Sequence, residues 1–433
     1  MIVYLVCYAA SLLLALSRHY LLSGAGLLAA AVYLYASDYI RSGNLLHLRG
    51  IFALSFVGGQ GLACMKLSYL SQAWSLVTWL GFLAAFSGFY LAFYCLETSA
   101  GGASVRMGGH AGAVQRRGLE SYVGTVFFCA LALTAVSVGC FAIEAVYMGY
   151  IPLLLRGVPH AYSYFHVTGL HYLTVSCVLV PALSVIYFCI EGGRSRGRLV
   201  CMLLADAAAI AIPLLCVSRS QLLFAVLLAL ITYIQMEHRL NPLYLVFALA
   251  GLVALYILLT IARSHDTSYL NTVFEMKRHL PIFLTQPYIY ISNNYDNFDC
   301  LVKELVKHSW GMKMLAPFWT LTGLKFLVPS LTAFPIYVTK EELTTLTMFY
   351  DAYYDFGVIG VFVFSALLGA VAYLLMQKMR QVQNPITYLL YAQFALYLLL
   401  SFFTTWFSNP STWFYFAVTA VLAFLVSHRV AGR

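Results

Sequence analysis

Charge is what this sequence is short of. Asp, Glu, Lys and Arg make up 9% of its 433 residues, against about 25% in a soluble domain. Hydrophobic residues make up 62%, and mean hydropathy is +0.83. A water-soluble globule has no way to hide that much apolar surface. Disorder is excluded as well, because it needs few apolar residues and high net charge. The ten cysteines contain no CxxC pair. Most lie in apolar runs, and Cys300, in a long loop, has no second loop cysteine to join. No disulfide framework, zinc site or redox site follows. Also missing are HExxH, Walker A, GxSxG and Asp-x-Asp, which argues against metalloprotease, ATPase, serine hydrolase and nucleotide-sugar transferase chemistry. No basic run interleaved with aromatics lies in a soluble segment. The net charge of +9 therefore reads as basic cytoplasmic loops and not as a nucleic-acid surface. No internal repeat is visible, which counts against transporters built on repeat symmetry.

What remains is a chain that uses lipid as its solvent. A spanning helix needs about 20 mostly apolar residues. Twelve stretches qualify: Ile2–Leu16, Tyr20–Ala36, Gly50–Leu67, Ala73–Leu96, Ser121–Ala142, Val167–Ile190, Leu199–Val217, Gln221–Gln235, Pro242–Ile261, Phe356–Met376, Ile386–Phe403 and Trp413–Val426. None shows period-2 alternation, so helices are expected and not a barrel. Met1–Leu16 has no basic n-region or small-residue cleavage site and reads as a first span. The expected fold is all-α: a polytopic bundle of about 12 transmembrane helices with a large extracytoplasmic loop between helices 9 and 10. The chain divides into 1–261 (helices 1–9), 262–355 (loop with short interfacial helices) and 356–433 (helices 10–12).

Orientation follows from Lys and Arg in the short loops. One set of alternate loops holds Arg41, Arg49, Arg106, Arg116, Arg117, Arg194, Arg196, Arg198, Arg239, Lys378 and Arg380, with Arg429 and Arg433 in the terminal segment. The opposite short loops hold only Arg18, Lys66, Arg156 and Arg219. Both termini are expected in the cytoplasm, and residues 262–355 outside. That segment is too long for a plain connection. Within it, Phe298, Leu301, Val302, Leu305 and Val306 make an apolar helical stripe. The stripe predicts a short amphipathic helix lying at the outer surface. The inner loops are short, so any chemistry is expected on the outer side.

Several ionisable residues fall where outer loops meet spans. Arg219 sits in the tight hairpin Ser218-Arg219-Ser220-Gln221. Arg156 follows the turn Gly149-Tyr150-Ile151-Pro152, with His160 four residues on. Arg263, His265 and Asp266 follow the ninth span, and Asp351 and Asp355 precede the tenth. Arginines at helix ends also snorkel to headgroups, and tyrosines also anchor interfaces. As a set, however, ionisable groups at membrane depth are costly and usually functional. Arginine suits phosphate because its planar fork bonds two oxygens at once. Converging outer arginines would imply a lipid-linked phosphate or pyrophosphate.

The whole pattern resembles the oligosaccharide repeat-unit (O-antigen, Wzy-type) polymerases. The resemblance covers the full length as topology and is sharper in four segments. These are Gly149–Leu153 before the sixth span, Ser218–Leu223 entering the eighth, Tyr288–Phe298 (YIYISNNYDNF) in the large loop, and Thr344–Gly369 with its Asp-Phe-Gly-x-x-Gly entering the tenth. It implies a metal-independent membrane glycosyltransferase without cofactor in a bacterial cytoplasmic membrane. The enzyme would polymerise undecaprenyl-pyrophosphate-linked repeat units for O-antigen, capsule or exopolysaccharide. A flippase and a chain-length regulator are the implied protein partners, and nucleic acid is not. Under this resemblance Arg156, Arg219 and Arg263 would bind pyrophosphate. Asp296 or Asp355 would be the general base, with His160 and His265 as further candidates. Tyr288, Tyr290, Tyr295 and Tyr354 would stack on sugar rings, and Asn294 would contact substrate. Competing readings are an O-antigen ligase, a polysaccharide flippase or other transporter, and a structural subunit without chemistry.

Overall fold

The computed structural model describes residues 1–99, 118–155, 161–191, 195–237, 246, 251, 272–278 and 281–431. These residues are helical, with one isolated bridge between Ser68 and Met276. In chain order the principal helices are α1 (Ile2–Leu16), α2 (Tyr20–Ser42), α3 (Leu48–Phe52) and α4 (Gly58–Cys64), then α5 (Leu76–Ser99) and α6 (Val123–Met148). Next come α7 (Leu170–Val175), α8 (Val180–Ile190), α9 (Arg196–Leu215) and α10 (Arg219–Glu237). The last are α11 (Ile282–Glu304), α12 (Tyr350–Lys378), α13 (Ile386–Leu399) and α14 (Pro410–Ala431). Among the described residues eight helices are long and apolar enough to cross a bilayer, and three more apolar helices are shorter. The chain is a polytopic helical membrane protein. The expected ninth span, Pro242–Ile261, lies almost wholly outside the described residues.

The chain forms two compact units. The first comprises Met1–Arg106, Asp266–Gln377 and Tyr397–Trp413; the second comprises Met107–His265, Lys378–Leu396 and Phe414–Arg433. In unit 1, α1 and α4 pack on α2, and α11 packs on α4 and α5. Its centre is aromatic: Phe52, Phe56, Phe82, Phe86, Phe89 and Tyr295 are all fully buried. The third expected span is not one regular helix. A π turn at Ala53–Val57 joins α3 to α4, and the carbonyl of Phe56 accepts the Tyr295 hydroxyl at 2.7 Å. A π turn releases backbone carbonyls from the i→i−4 ladder, and this one is satisfied by a side chain. Helices α5 and α12 meet through small residues. A Cβ on Gly369 would run into the Phe89 carbonyl, and one on Gly88 into the Phe362 carbonyl. Ser365 donates to the Ala85 carbonyl at the same contact. Small-residue contacts of this kind replace hydrophobic driving force between helices in lipid.

Helix α11 departs most from the sequence expectation. It is neither short nor superficial. It starts after Pro281 and runs through Pro287, and residues 292–299 are all buried. The stripe that suggested a surface helix ends outside it, since α11 stops at Glu304 and Val306 is 97% exposed. The physical reason is that its polar residues have partners inside the protein. Asn297 donates to the carbonyls of Leu343 (2.7 Å) and Thr345 (2.9 Å), and accepts from the Thr339 amide at 2.8 Å. Asn293 accepts from the Thr339 hydroxyl at 2.7 Å. The amides thus hold an irregular strap, residues 339–345, against the helix. Backbone without helical bonds is tolerated at membrane depth only when protein satisfies it. Helix α12 also starts earlier than expected, at Tyr350, so Asp351 and Asp355 lie within it. Its axis is broken at Phe356 and Gly357, where Gly357 has φ +62°.

At the other end of α2, Arg49 gives its Nε and an Nη to Asp38 (3.0 and 2.6 Å) and its second Nη to Glu97 (3.1 Å). His47 is 4% exposed beside this pair, with Nδ1 3.5 Å from Asp38, and its ring packs on Phe93. Burial lowers its pKa to about 4, and Arg49 pushes the same way while Asp38 opposes. The folded value lies below the ordinary 6.5, so the unfolded chain binds the extra proton between those values. Stability is complete above pH 6.5 and falls as pH drops towards 4. The full loss is of the order of 3 kcal/mol. Unfolding midpoints measured from pH 7.5 to 4 should fall over this window in the wild type and much less in His47→Gln. Parallel pH curves would remove His47 from the account.

Candidate functional site

In unit 2 the spans run alternately, so the C-terminus of α6, the N-terminus of α7 and the α9–α10 hairpin share one end. The hairpin turns at Val217, which has a left-handed φ of +55°. Val217 and Leu222 are buried there with Leu153, Ile210 and Leu214 packed on them. Two of the segments that carry the resemblance, Gly149–Leu153 and Ser218–Leu223, are therefore packed together. Arg219 opens α10 directly beside this contact and is partly buried. Arg156 and His160, a few residues beyond Leu153, lie outside the described residues, as do Arg263 and His265. The expected convergence of the three arginines concerns positions that are not all described.

The same end of unit 2 holds a pair that the sequence reading passed over. Glu144, in the last turns of α6, is fully buried. Its carboxylate accepts the Val167 amide at 3.0 Å and faces His171 Nδ1 at 3.1 and 3.2 Å. His171 sits in the first turn of α7, and its side chain is 28% exposed. A carboxylate that faces Nδ1 fixes the tautomer with the proton there. The other ring nitrogen, Nε2, then carries the lone pair. This is the Asp–His half of a triad in its geometry, and such an imidazole can take a proton from a hydroxyl. In the sequence Glu144 only follows the apolar run Ser121–Ala142, and His171 lies inside the run Val167–Ile190. Only the fold shows that they touch.

The remaining candidates lie in unit 1, and the structure gives most of them structural tasks. Asp296 is not placed as a free base. It is 3% exposed and accepts from Lys66 Nζ (2.5 Å), Ser71 Oγ (2.6 Å) and Trp74 Nε1 (2.7 Å). Lys66 Nζ also lies 3.9 Å from the Trp74 ring centroid. Three donors occupy its two oxygens, so the carboxylate is tied into the packing of α11 against residues 66–74. Asp355 is wholly buried and ties down the 309–314 loop. It accepts from the Ser309 hydroxyl and from the amides of Lys313 (3.2 Å) and Met314 (2.8 Å). Its carboxylate therefore anchors that loop. Asn294 is fully buried, donating to the Phe402 carbonyl and accepting from Thr345, both at 2.6 Å. Tyr295 is fully buried and Tyr354 is 4% exposed, so neither offers a face for a sugar. Tyr354 instead carries the Lys313 ammonium 4.1 Å above its ring. Tyr288 accepts the Leu67 amide at 2.9 Å, and burial pushes its phenol up to about 12. Tyr290, 37% exposed, is the one candidate tyrosine with a substantially open ring.

No family model, curated protein or solved structure matches this chain. Function therefore has to be argued from the groups themselves. Beside the Lys66–Asp296 pair, a cavity of about 120 Å³ is lined by Arg18, Tyr20, Trp74 and Trp79. Unit 1 thus presents a guanidinium and indole rings at a loop end, and unit 2 presents Arg219 and the Glu144–His171 pair.

Proposed function

We propose that this chain is a metal-independent membrane glycosyltransferase that polymerises undecaprenyl-pyrophosphate-linked oligosaccharide repeat units on the outer side of a bacterial cytoplasmic membrane. The observation that supports the reading is the pairing of His171 with buried Glu144 at the end of unit 2 where Arg219 begins α10. In the reaction, a hydroxyl of the incoming lipid-linked unit attacks the anomeric carbon of the growing glycan. The new C–O bond forms as the bond to undecaprenyl pyrophosphate breaks, and the leaving anion takes the bonding pair. The hydroxyl proton passes to the free nitrogen of His171, and Glu144 stabilises the imidazolium. Arg219 balances charge that develops on the pyrophosphate. The eight long apolar helices, the three shorter ones and Pro242–Ile261 together would supply twelve spans. An even number leaves both termini on one side, which the arginine distribution makes the cytoplasm.

Arg219→Lys and Arg219→Ala should abolish long-chain surface glycan while folded protein stays in the membrane and lipid-linked single units accumulate. A gel of surface glycan with a membrane immunoblot reads this directly. Normal chain length in either variant would reject the role of Arg219. Loss of all outer-leaflet lipid-linked units on gene deletion would point to a flippase, and unattached long polymer to a ligase.

A further inference from the structure

A cavity of about 430 Å³ in unit 1 lies at the end opposite to Lys66 and Asp296. Its walls come from four helices. Helix α2 contributes Leu34, Ser37, Asp38 and Arg41, and α5 contributes Phe86, Tyr90, Leu91 and Tyr94. Met1 with the first turn of α1 (Ile2, Val3), and Arg49 with Ala53, add to it. Position 41 is one turn from 37 and 38, so the α2 wall is polar towards its C-terminus and apolar below. The α5 wall is an aromatic stair, with Phe86–Tyr90 and Tyr90–Tyr94 ring centroids 6.0 and 6.2 Å apart.

Charge decides what such a space takes. Arg49 is 5% exposed and already balanced by Asp38 and Glu97, with its Cζ 5.1 Å from the Tyr90 ring centroid. Arg41, in the last turn of α2, is exposed and has no ion pair among the described residues. The Met1 amino group also lines the cavity, so Met1, Arg41 and Arg49 stand against Asp38 and Glu97 with one positive charge in excess at the polar rim, above an apolar floor. A guanidinium at a membrane interface is matched by a phosphodiester, which it grips through two N–H donors. At about 30 Å³ per water volume, the space holds a headgroup and the start of one chain. The rest of the chain leaves past the exposed Ile2 and Val3.

We propose that this cavity is a binding site for a monoanionic glycerophospholipid, with the phosphate on Arg41 and one acyl chain along Leu34, Phe86 and Leu91. The site is separate from the glycosyl-transfer groups and does not rest on that reading. The test uses the full chain in detergent, titrated with phosphatidylglycerol, dioleoylglycerol or undecaprenyl phosphate and read by native mass spectrometry. Phosphatidylglycerol should be retained in preference to the other two. Arg41→Gln should weaken its retention about tenfold, since hydrogen bonds to charged groups are worth more than neutral ones. Ser37→Trp, which fills the cavity, should abolish retention with an unchanged gel-filtration profile. Equal retention of dioleoylglycerol, or full retention by both variants, would show annular lipid only. Stronger retention of undecaprenyl phosphate would assign the site to a prenyl carrier. Either result overturns the proposal.

Discussion

Lys66→Met is expected to destabilise unit 1 by about 3–5 kcal/mol, the usual cost of leaving one member of a buried ion pair alone. The Asp296 carboxylate would keep only Ser71 and Trp74 as side-chain donors, neither of them charged. The side chains of Lys66 and Asp296 are 4% and 3% exposed, so water cannot take over. Removing the charge on both sides, in Lys66→Met with Asp296→Asn, should recover most of the loss. A buried pair is often no better than a neutral replacement of similar shape. For a unit of this size the midpoint of thermal unfolding in detergent should fall by roughly 10 °C in the single variant. Trp74, which contacts both members of the pair, makes tryptophan emission a suitable probe. A single variant as stable as the wild type would mean that the pair does not hold α11 in place.

The second large effect concerns rate. His171→Ala should slow glycan elongation by about 10²–10⁴-fold, the range for losing a general base. Binding of the lipid-linked unit should persist, because Arg219 is intact. Glu144→Gln should also slow elongation, by roughly 10²-fold or more, because an amide can donate to Nδ1 and select the wrong tautomer. Glu144→Asp should keep part of the rate, since the charge remains at a shorter reach. These graded outcomes separate a base and its orienting partner from a pair that merely packs. If His171→Ala and Glu144→Gln elongate at the wild-type rate while Arg219→Ala does not, the proton acceptor is another group. The assay is incorporation of labelled repeat units by purified protein, followed by the distribution of chain lengths.

Much of the architecture was legible in the sequence. The predicted first span, Ile2–Leu16, coincides with α1. The runs Ala73–Leu96, Leu199–Val217 and Gln221–Gln235 lie within three residues of both ends of α5, α9 and α10, and the run Val167–Ile190 takes in α7 and α8 together. Their composition is unambiguous because lipid imposes it. The departures have one cause. The sequence reading assigned charged and amide side chains to solvent, whereas unit 1 pairs them internally across very long separations. Lys66 meets Asp296 over 230 positions and Arg49 meets Glu97 over 48. No local pattern marks such pairs. Tyr288–Phe298 was read as part of the large loop, and its burial was not legible because its hydrogen-bond partners, residues 339–345, are irregular and invisible to periodicity. Among site residues, the hairpin at Arg219 and the turn before Leu153 were found from tightness and charge. His171 was missed because Glu144 lies a loop away and neither residue stands out alone.

The lodging of α11 among the earlier helices has a consequence for biogenesis. Lys66 and the π turn that accepts Tyr295 are synthesised some 230 residues before their partners. At 5–20 residues per second, this delay is about 10–50 s. During that interval α1–α5 reside in the bilayer with a vacant slot and an unneutralised ammonium. The nascent N-terminal quarter should therefore need shelter by the insertion machinery until α11 arrives. Chains truncated before Pro281 should be recognised as orphans and degraded, although every hydrophobic segment up to that point has been made.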